Sequence, residues 1–194
     1  MKLLRSNRSG SGGFGGFLIC KVTILFILAL FLLPSISLSQ EVEWELRSSS
    51  HLAPQGQNYY DVYRLFDGQM GTAWVEGVSG GGVGEFITLR LMNIAGNVEN
   101  YIYLKGFELN NGYCKDRETW LKNGRVRKIK IYFNGTEIYN GHLEDTMREQ
   151  TVSLGSHLVN IDDVIKIEIM DVFPGREYED TAISELIPIY TFAQ

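Results

Sequence analysis

The chain has 194 residues, in which 18 Lys and Arg face 23 Asp and Glu, for a net charge of -5. An acidic balance offers no basic face to a phosphate backbone, which argues against DNA and RNA as partners. At this length one domain with a substantial core is the expected organisation.

The first 39 residues carry Lys2, Arg5, Arg8 and Lys21 and no acidic residue, followed by the uncharged run "VTILFILALFLL" from Val22 to Leu33. A basic start, a short apolar stretch and small residues, here Ser37 and Ser39, are the layout of a secretory signal peptide. The run is shorter than the roughly 20 residues a spanning helix needs. Cleavage near Ser39 is expected, which makes the protein secreted or extracytoplasmic; the alternative is an uncleaved membrane anchor. Residues 40–194 then form a single domain with 14 basic against 23 acidic side chains, a net charge near -9. Only Cys114 is left in that span, so no disulfide can form within it, and the fold must rest on its core or on a bound ion.

From Gln40 on, apolar residues recur with period two and never with the spacing of a long helix. "DVYRLFDG", 61–68, is the one candidate helical turn, with Tyr63, Leu65 and Phe66 facing inward. Ile87, Leu89 and Leu91, then Ile129, Ile131 and Phe133, then Ile165, Ile167 and Ile169 alternate with polar neighbours, as in half-buried strands. Asn111-Gly112, Asn134-Gly135 and Pro174-Gly175 supply turn signals between them. Many short strands at such intervals predict an all-β fold, a β-sandwich or jelly roll.

The glycine-rich "TAWVEGVSGGGVGEFITL", 72–89, fits no phosphate loop: the sixth place counted from Gly80 is Glu85, no P-loop lysine follows, and a strand comes next. It reads as a loop framing Trp74 and Glu76. Two further clusters sit at strand ends, "NGYCKDRETWLKNGRVRKIKIYFNG" at 111–135 and "DVFPGREYEDTAISE" at 171–185. Aromatic faces mixed with Asn, Asp, Glu, Lys and Arg suit a sugar, which needs an apolar surface for its C–H face and converging donors and acceptors for its hydroxyls. The plainer alternative makes Trp74, Tyr113 and Trp120 core or loop-anchoring residues and the charges a solvated rim.

The ordered set "TAWVEG", "NGYCK", "NGRV" and "DVFPGREYEDTAISEL" resembles the NADase-type glycan-binding domains, a branch of the discoidin-like (coagulation factor 5/8 type C, galactose-binding-like) β-sandwiches. The resemblance covers about residues 48–187. It implies a jelly roll that binds glycans, an accessory module whose name comes from a domain attached to a secreted NAD glycohydrolase toxin with a separate catalytic domain. Carried over, the glycan-facing positions are Trp74, Glu76, Asn111, Tyr113, Lys115, Asn123, Arg125, Tyr178 and Asp180. Cys114 stands where a small residue such as Ala is expected, and a buried Cys packs much like one.

The resemblance also implies a structural calcium held by Asp67 and Thr72 of "DGQMGT" and by Glu185, hard oxygens of the kind calcium takes. The alternative is a turn capped by Asp67 with Glu185 in solvent. No organic cofactor is expected. His51, His142 and His157 stand in no catalytic motif, and the acid pairs Glu177 with Asp180 or Glu76 with Glu85 have nothing to single one out for glycoside cleavage. The reading is therefore a non-catalytic module for a glycan or cell-surface carbohydrate, with an envelope or host protein as the alternative partner.

Overall fold

The computed structural model describes residues 41–95 and 99–192. The signal segment expected over 1–39 lies outside the described residues; among the described residues no helix is long and apolar enough to cross a membrane.

Among the described residues nine strands carry the fold: β1 (Glu41–Ser48), β2 (Trp74–Val75), β3 (Phe86–Ala95), β4 (Tyr101–Asn111), β5 (Gly124–Phe133), β6 (Thr136–His142), β7 (Gln150–Asn160), β8 (Val164–Phe173) and β9 (Thr181–Phe192). They run in the order β1-β3-β8-β5-β9-β4-β7, with β6 on the free side of β5 and β2 on β9. Every pairing is antiparallel except β5 with β9, which is parallel and only two residues long, Gly124 with Thr181 and Arg125 with Ala182. That short seam joins two antiparallel sheets, β1-β3-β8-β5 and β9-β4-β7, at one end of a sandwich.

The period-two pattern explains the layers. Ile87, Leu89, Leu91, Ile129, Ile131, Ile165, Ile167 and Ile169 are buried from the first sheet, and Ile102, Leu104, Phe107, Leu109, Ile183 and Leu186 from the second, all in one apolar cluster. Between β5 and β6 the Asn134-Gly135 pair adopts positive φ at both residues, 46° and 84°, which suits a two-residue hairpin.

Two local details differ from expectation: Tyr63 does not face inward, and a short helix is added. The helical turn near 61–68 is a 3-10 helix, Val62–Phe66, capped by Asp61 accepting from the Tyr63 N–H. Val62 and Leu65 are its buried residues, while Tyr63 points into solvent, because i and i+3 share a face in a 3-10 turn. The turn signalled at Asn111-Gly112 falls where β4 ends, and the chain then enters a helix, α1 (Arg117–Lys122), that the apolar periodicity did not signal. Asp116 starts α1 by accepting the Thr119 N–H at 2.7 Å.

Candidate functional site

At the seam where β4 ends and β5 and β9 begin, four of the expected glycan-facing residues turn out to build that end of the sandwich from within. Trp74 is wholly buried in the main core cluster, its indole N–H donating to the Ser50 carbonyl at 3.0 Å. Glu76 is also fully buried; its two carboxylate oxygens accept the N–H groups of Val78 at 2.8 Å and Thr181 at 3.1 Å. Burial pushes its carboxyl up, against the pull of those two amides.

Asn111 spends its amide on the backbone of β5, donating to the Val126 carbonyl at 2.7 Å and accepting the Val126 N–H at 2.9 Å. The side chain thus continues the ladder where β4 and β5 do not pair. Arg125, only 6% exposed, clasps Asp145 through two parallel bonds of 3.0 Å and donates to the carbonyls of Asn123 and Pro174. Its guanidinium lies 4.6 Å from the Trp120 ring centre, and the buried Trp120 in turn donates to the Asn111 carbonyl at 2.8 Å. Trp74, Glu76, Asn111 and Arg125 are corrected from ligand contacts to loop anchors: their polar atoms already have partners and almost no surface is left to meet a ligand.

The glycine loop has the same use. Rather than presenting Trp74 and Glu76, it folds over Glu76 and closes on the start of β9, where the Thr181 hydroxyl donates to the Gly81 carbonyl at 2.9 Å.

The other five, Tyr113, Lys115, Asn123, Tyr178 and Asp180, line one open cleft of about 300 Å³. Tyr113 and Tyr60 meet edge to face with ring centres 6.4 Å apart and form its apolar corner. Tyr178, 46% exposed, stands on the 174–180 loop, and Asn123 at the end of α1, its amide donating to the Thr119 carbonyl at 2.8 Å. Among the described residues the Lys115 ammonium has no ion pair, whereas Lys122 is paired to Glu118 at 2.9 Å and Glu177 at 3.4 Å. Asp180 is half-buried, its carboxylate without a partner among the described residues, and burial, then the neighbouring Glu179, raises its pKa.

Gln55, Asn58, Tyr60, Thr119 and Lys122 also line the cleft and were not singled out from the sequence. The first three come from "QGQNYY", a tight turn closed by mutual backbone hydrogen bonds of Gln55 and Asn58. Its crowding of amides and tyrosines beside a glycine was an available signal. Thr119 and Lys122 required α1 to be known. The acid pair Glu76 with Glu85 does not border the cleft: Glu76 is buried, and Glu85 accepts the hydroxyls of Ser49 and Ser50.

A second constellation involves Asp67, Thr72 and Glu185. Asp67 accepts from the Gln69 N–H at 3.0 Å and from the Thr72 hydroxyl at 2.8 Å. Glu185 is 2% exposed, and among the described residues neither of its oxygens has a hydrogen bond of full geometry, the Gln69 and Gly68 amides only lying near it. Burial raises its carboxyl pKa; the Gln69 and Gly68 amides oppose this and nearby Asp67 adds to it. A buried carboxylate beside a second carboxylate and a hydroxyl is a donor set of the kind a hard cation takes, although Asp67 also pairs with the Arg64 guanidinium at 3.5 Å, which a cation would share or displace. Among the described residues no three His, Cys, Asp or Glu side chains converge, so a site here depends on such hydroxyl and carbonyl oxygens.

The two-sheet body with its ligand-sized cleft among end loops is a discoidin-like β-sandwich. Residues 39–188 match the model of the NAD glycohydrolase translocation F5/8 type C domain, and the chain belongs to that family. Among solved structures it is similar to CpGH89CBM32-5 from Clostridium perfringens in complex with GalNAc-β-1,3-galactose, at TM-score 0.55 and 20% identity over 77% of this chain and 95% of that one. The family 32 carbohydrate-binding module of C. perfringens NanJ, in complex with galactose, gives 0.54 and 18% over 78% and 99%. The C-terminal domain of a chitobiase from Bacteroides fragilis gives 0.55 and 16% over 80% and 100%. No curated protein matches the chain.

Proposed function

We propose that the protein is a secreted, non-catalytic module that binds a glycan in the cleft between the 55–60 turn, α1 and the 174–180 loop. The observation that carries this reading is the cleft's make-up: the faces of Tyr113 and the exposed Tyr178, with the buried Tyr60 packed behind Tyr113, beside Lys115, Asn123 and Asp180. Tyrosine rings offer the apolar surface a pyranose C–H face packs on, and the amide, ammonium and carboxylate can divide its hydroxyls between donors and acceptors. Crystallised modules of the same fold hold galactose and GalNAc-β-1,3-galactose, which makes galactosides the first sugars to try. A calcium ion at Asp67, Thr72 and Glu185 would supply charge compensation for Glu185 and tie β9 to the 67–72 turn, a structural duty.

Titration calorimetry of the purified protein with galactose and N-acetylgalactosamine, backed by a glycan array, tests the reading. Saturable binding that Tyr178→Ala weakens supports it; no binding to any sugar by folded protein overturns it. The second reading, a surface that docks a partner protein for translocation, is favoured by the family's own description and by Tyr59, Met70, Val78, Val83 and Tyr178, apolar side chains exposed on the loops, with Tyr63 exposed on the 3-10 helix.

A further inference from the structure

Two consecutive residues link the Asp67–Glu185 constellation to the cleft. The Tyr113 hydroxyl donates to the Gly71 carbonyl at 3.2 Å, and Gly71 belongs to the 67–72 turn that holds Asp67 and Thr72. One residue on, the Cys114 N–H donates to the Ser184 hydroxyl oxygen at 2.8 Å, and Ser184 precedes Glu185. Tyr113 is a wall of the cleft and the edge partner of Tyr60; Cys114 is buried.

The turn is not neutral to a cation. The single Thr72 hydroxyl proton faces both Asp67 oxygens, at 2.9 and 2.8 Å, and the Gln69 carbonyl at 2.9 Å, while the Thr72 N–H donates to that same carbonyl at 3.1 Å. A cation taking Asp67 and Thr72 as ligands draws on the oxygen lone pairs, so the hydroxyl proton must turn away from the carboxylate and the turn must adjust. Gly71, bonded to Thr72 within that turn, presents its carbonyl to Tyr113. On the other side, drawing Glu185 toward a cation acts on Ser184.

From this we infer that Tyr113 is a positioning residue through which cation occupancy at Asp67, Thr72 and Glu185 sets the Tyr113–Tyr60 wall of the cleft. The inference rests on the calcium and cleft readings above. Coupling of this kind is reciprocal: whatever factor calcium adds to ligand affinity, the ligand adds to calcium affinity.

The test uses calcium alone as the probe, on the full chain. Calorimetry first measures calcium binding to the wild type. Amide NMR spectra along the same titration then follow Tyr113, Cys114 and Lys115 against Leu158, which stands on β7 away from the turn. The expected result is saturable calcium binding with the three cleft amides shifting in step with occupancy. Tyr113→Phe should keep the ring and its packing, weaken calcium about 2- to 10-fold through loss of one hydrogen bond, and shrink the shifts at Cys114 and Lys115. Calcium binding with those amides unmoved, or Tyr113→Phe binding calcium as the wild type does, overturns the linkage and leaves the cation reading standing. Absence of calcium binding to the wild type overturns the cation reading and the linkage together. Because Tyr113→Phe lacks this hydrogen bond in chelator as well, its melting temperature there should lie slightly below wild type, and the calcium-induced rise above that baseline is the readout: a smaller rise than the wild type's supports the linkage and an equal rise overturns it.

Discussion

Gly82 lies directly over Glu76: a Cβ on Gly82 would come 2.5 Å from the Glu76 Cγ. Gly82 also holds φ at 69°, in the left-handed region that a side chain disfavours. Gly82→Ala therefore meets both backbone strain and a buried carboxylate that cannot move without releasing Thr181 and Val78. It should cost about 2–4 kcal/mol, read by urea denaturation. Gly80→Ala is the control: its φ of 93° is also strained, yet nothing lies within 4 Å of the added carbon, so the difference between the two isolates the contact with Glu76. Equal costs would show that the loop does not rest on Glu76.

Trp74→Ala removes the largest fully buried side chain of the core and strands the Ser50 carbonyl that its indole serves. A loss of about 3–5 kcal/mol in unfolding free energy is expected. The variant should fail in thermal denaturation before any question of ligand affinity arises. A Trp74→Ala protein with wild-type stability would contradict the burial found here.

Tyr178→Ala should behave in the opposite way. The ring is exposed on the cleft rim, so stability should change by no more than about 0.5 kcal/mol, while galactoside affinity should fall on the order of 10-fold for a lost aromatic face. Calorimetry and a melting curve on the same sample separate the two effects.

The layers of the sandwich were legible because period-two alternation is a direct consequence of strand geometry: Ile87, Leu89, Leu91 and Ile165, Ile167, Ile169 could fall only on one face. The Asn134-Gly135 hairpin was legible for the same local reason. The cleft was legible only by halves. Aromatic, amide and charged residues crowd strand ends both when they face a ligand and when they hold loops together, and local sequence does not reveal which way their hydrogen bonds are spent. Arg125 and Asn111 look as suitable for a sugar as Lys115 and Asn123 do, yet they are committed to Asp145 and to Val126. α1 escaped because six residues are too few for a helical period, leaving the Asp116 cap as its one cue.

Three carboxyls, Glu76, Asp180 and Glu185, have pKa values raised first by burial. A carboxyl raised on folding binds its proton more tightly in the native state. Its contribution to stability is thus full below the unfolded value and is lost as pH rises through the native one. Asp116, Asp163, Asp171, Glu45 and Glu137 are shifted down, so their opposite effect falls at or below their ordinary carboxyl values. Above about pH 4.5, near the ordinary value for Glu, the raised group governs, and in chelator the melting temperature should fall as pH climbs from there toward neutrality. Calcium at Glu185 would supply the positive charge that the proton gives up. Saturating calcium should therefore flatten that fall and raise the melting temperature most at the high-pH end, where the Glu185 carboxylate is otherwise bare. Glu185→Gln, which cannot ionise, should shallow the slope in chelator and remove most of the calcium response. Parallel melting profiles for wild type with and without calcium would leave the buried Glu185 without the cation proposed for it.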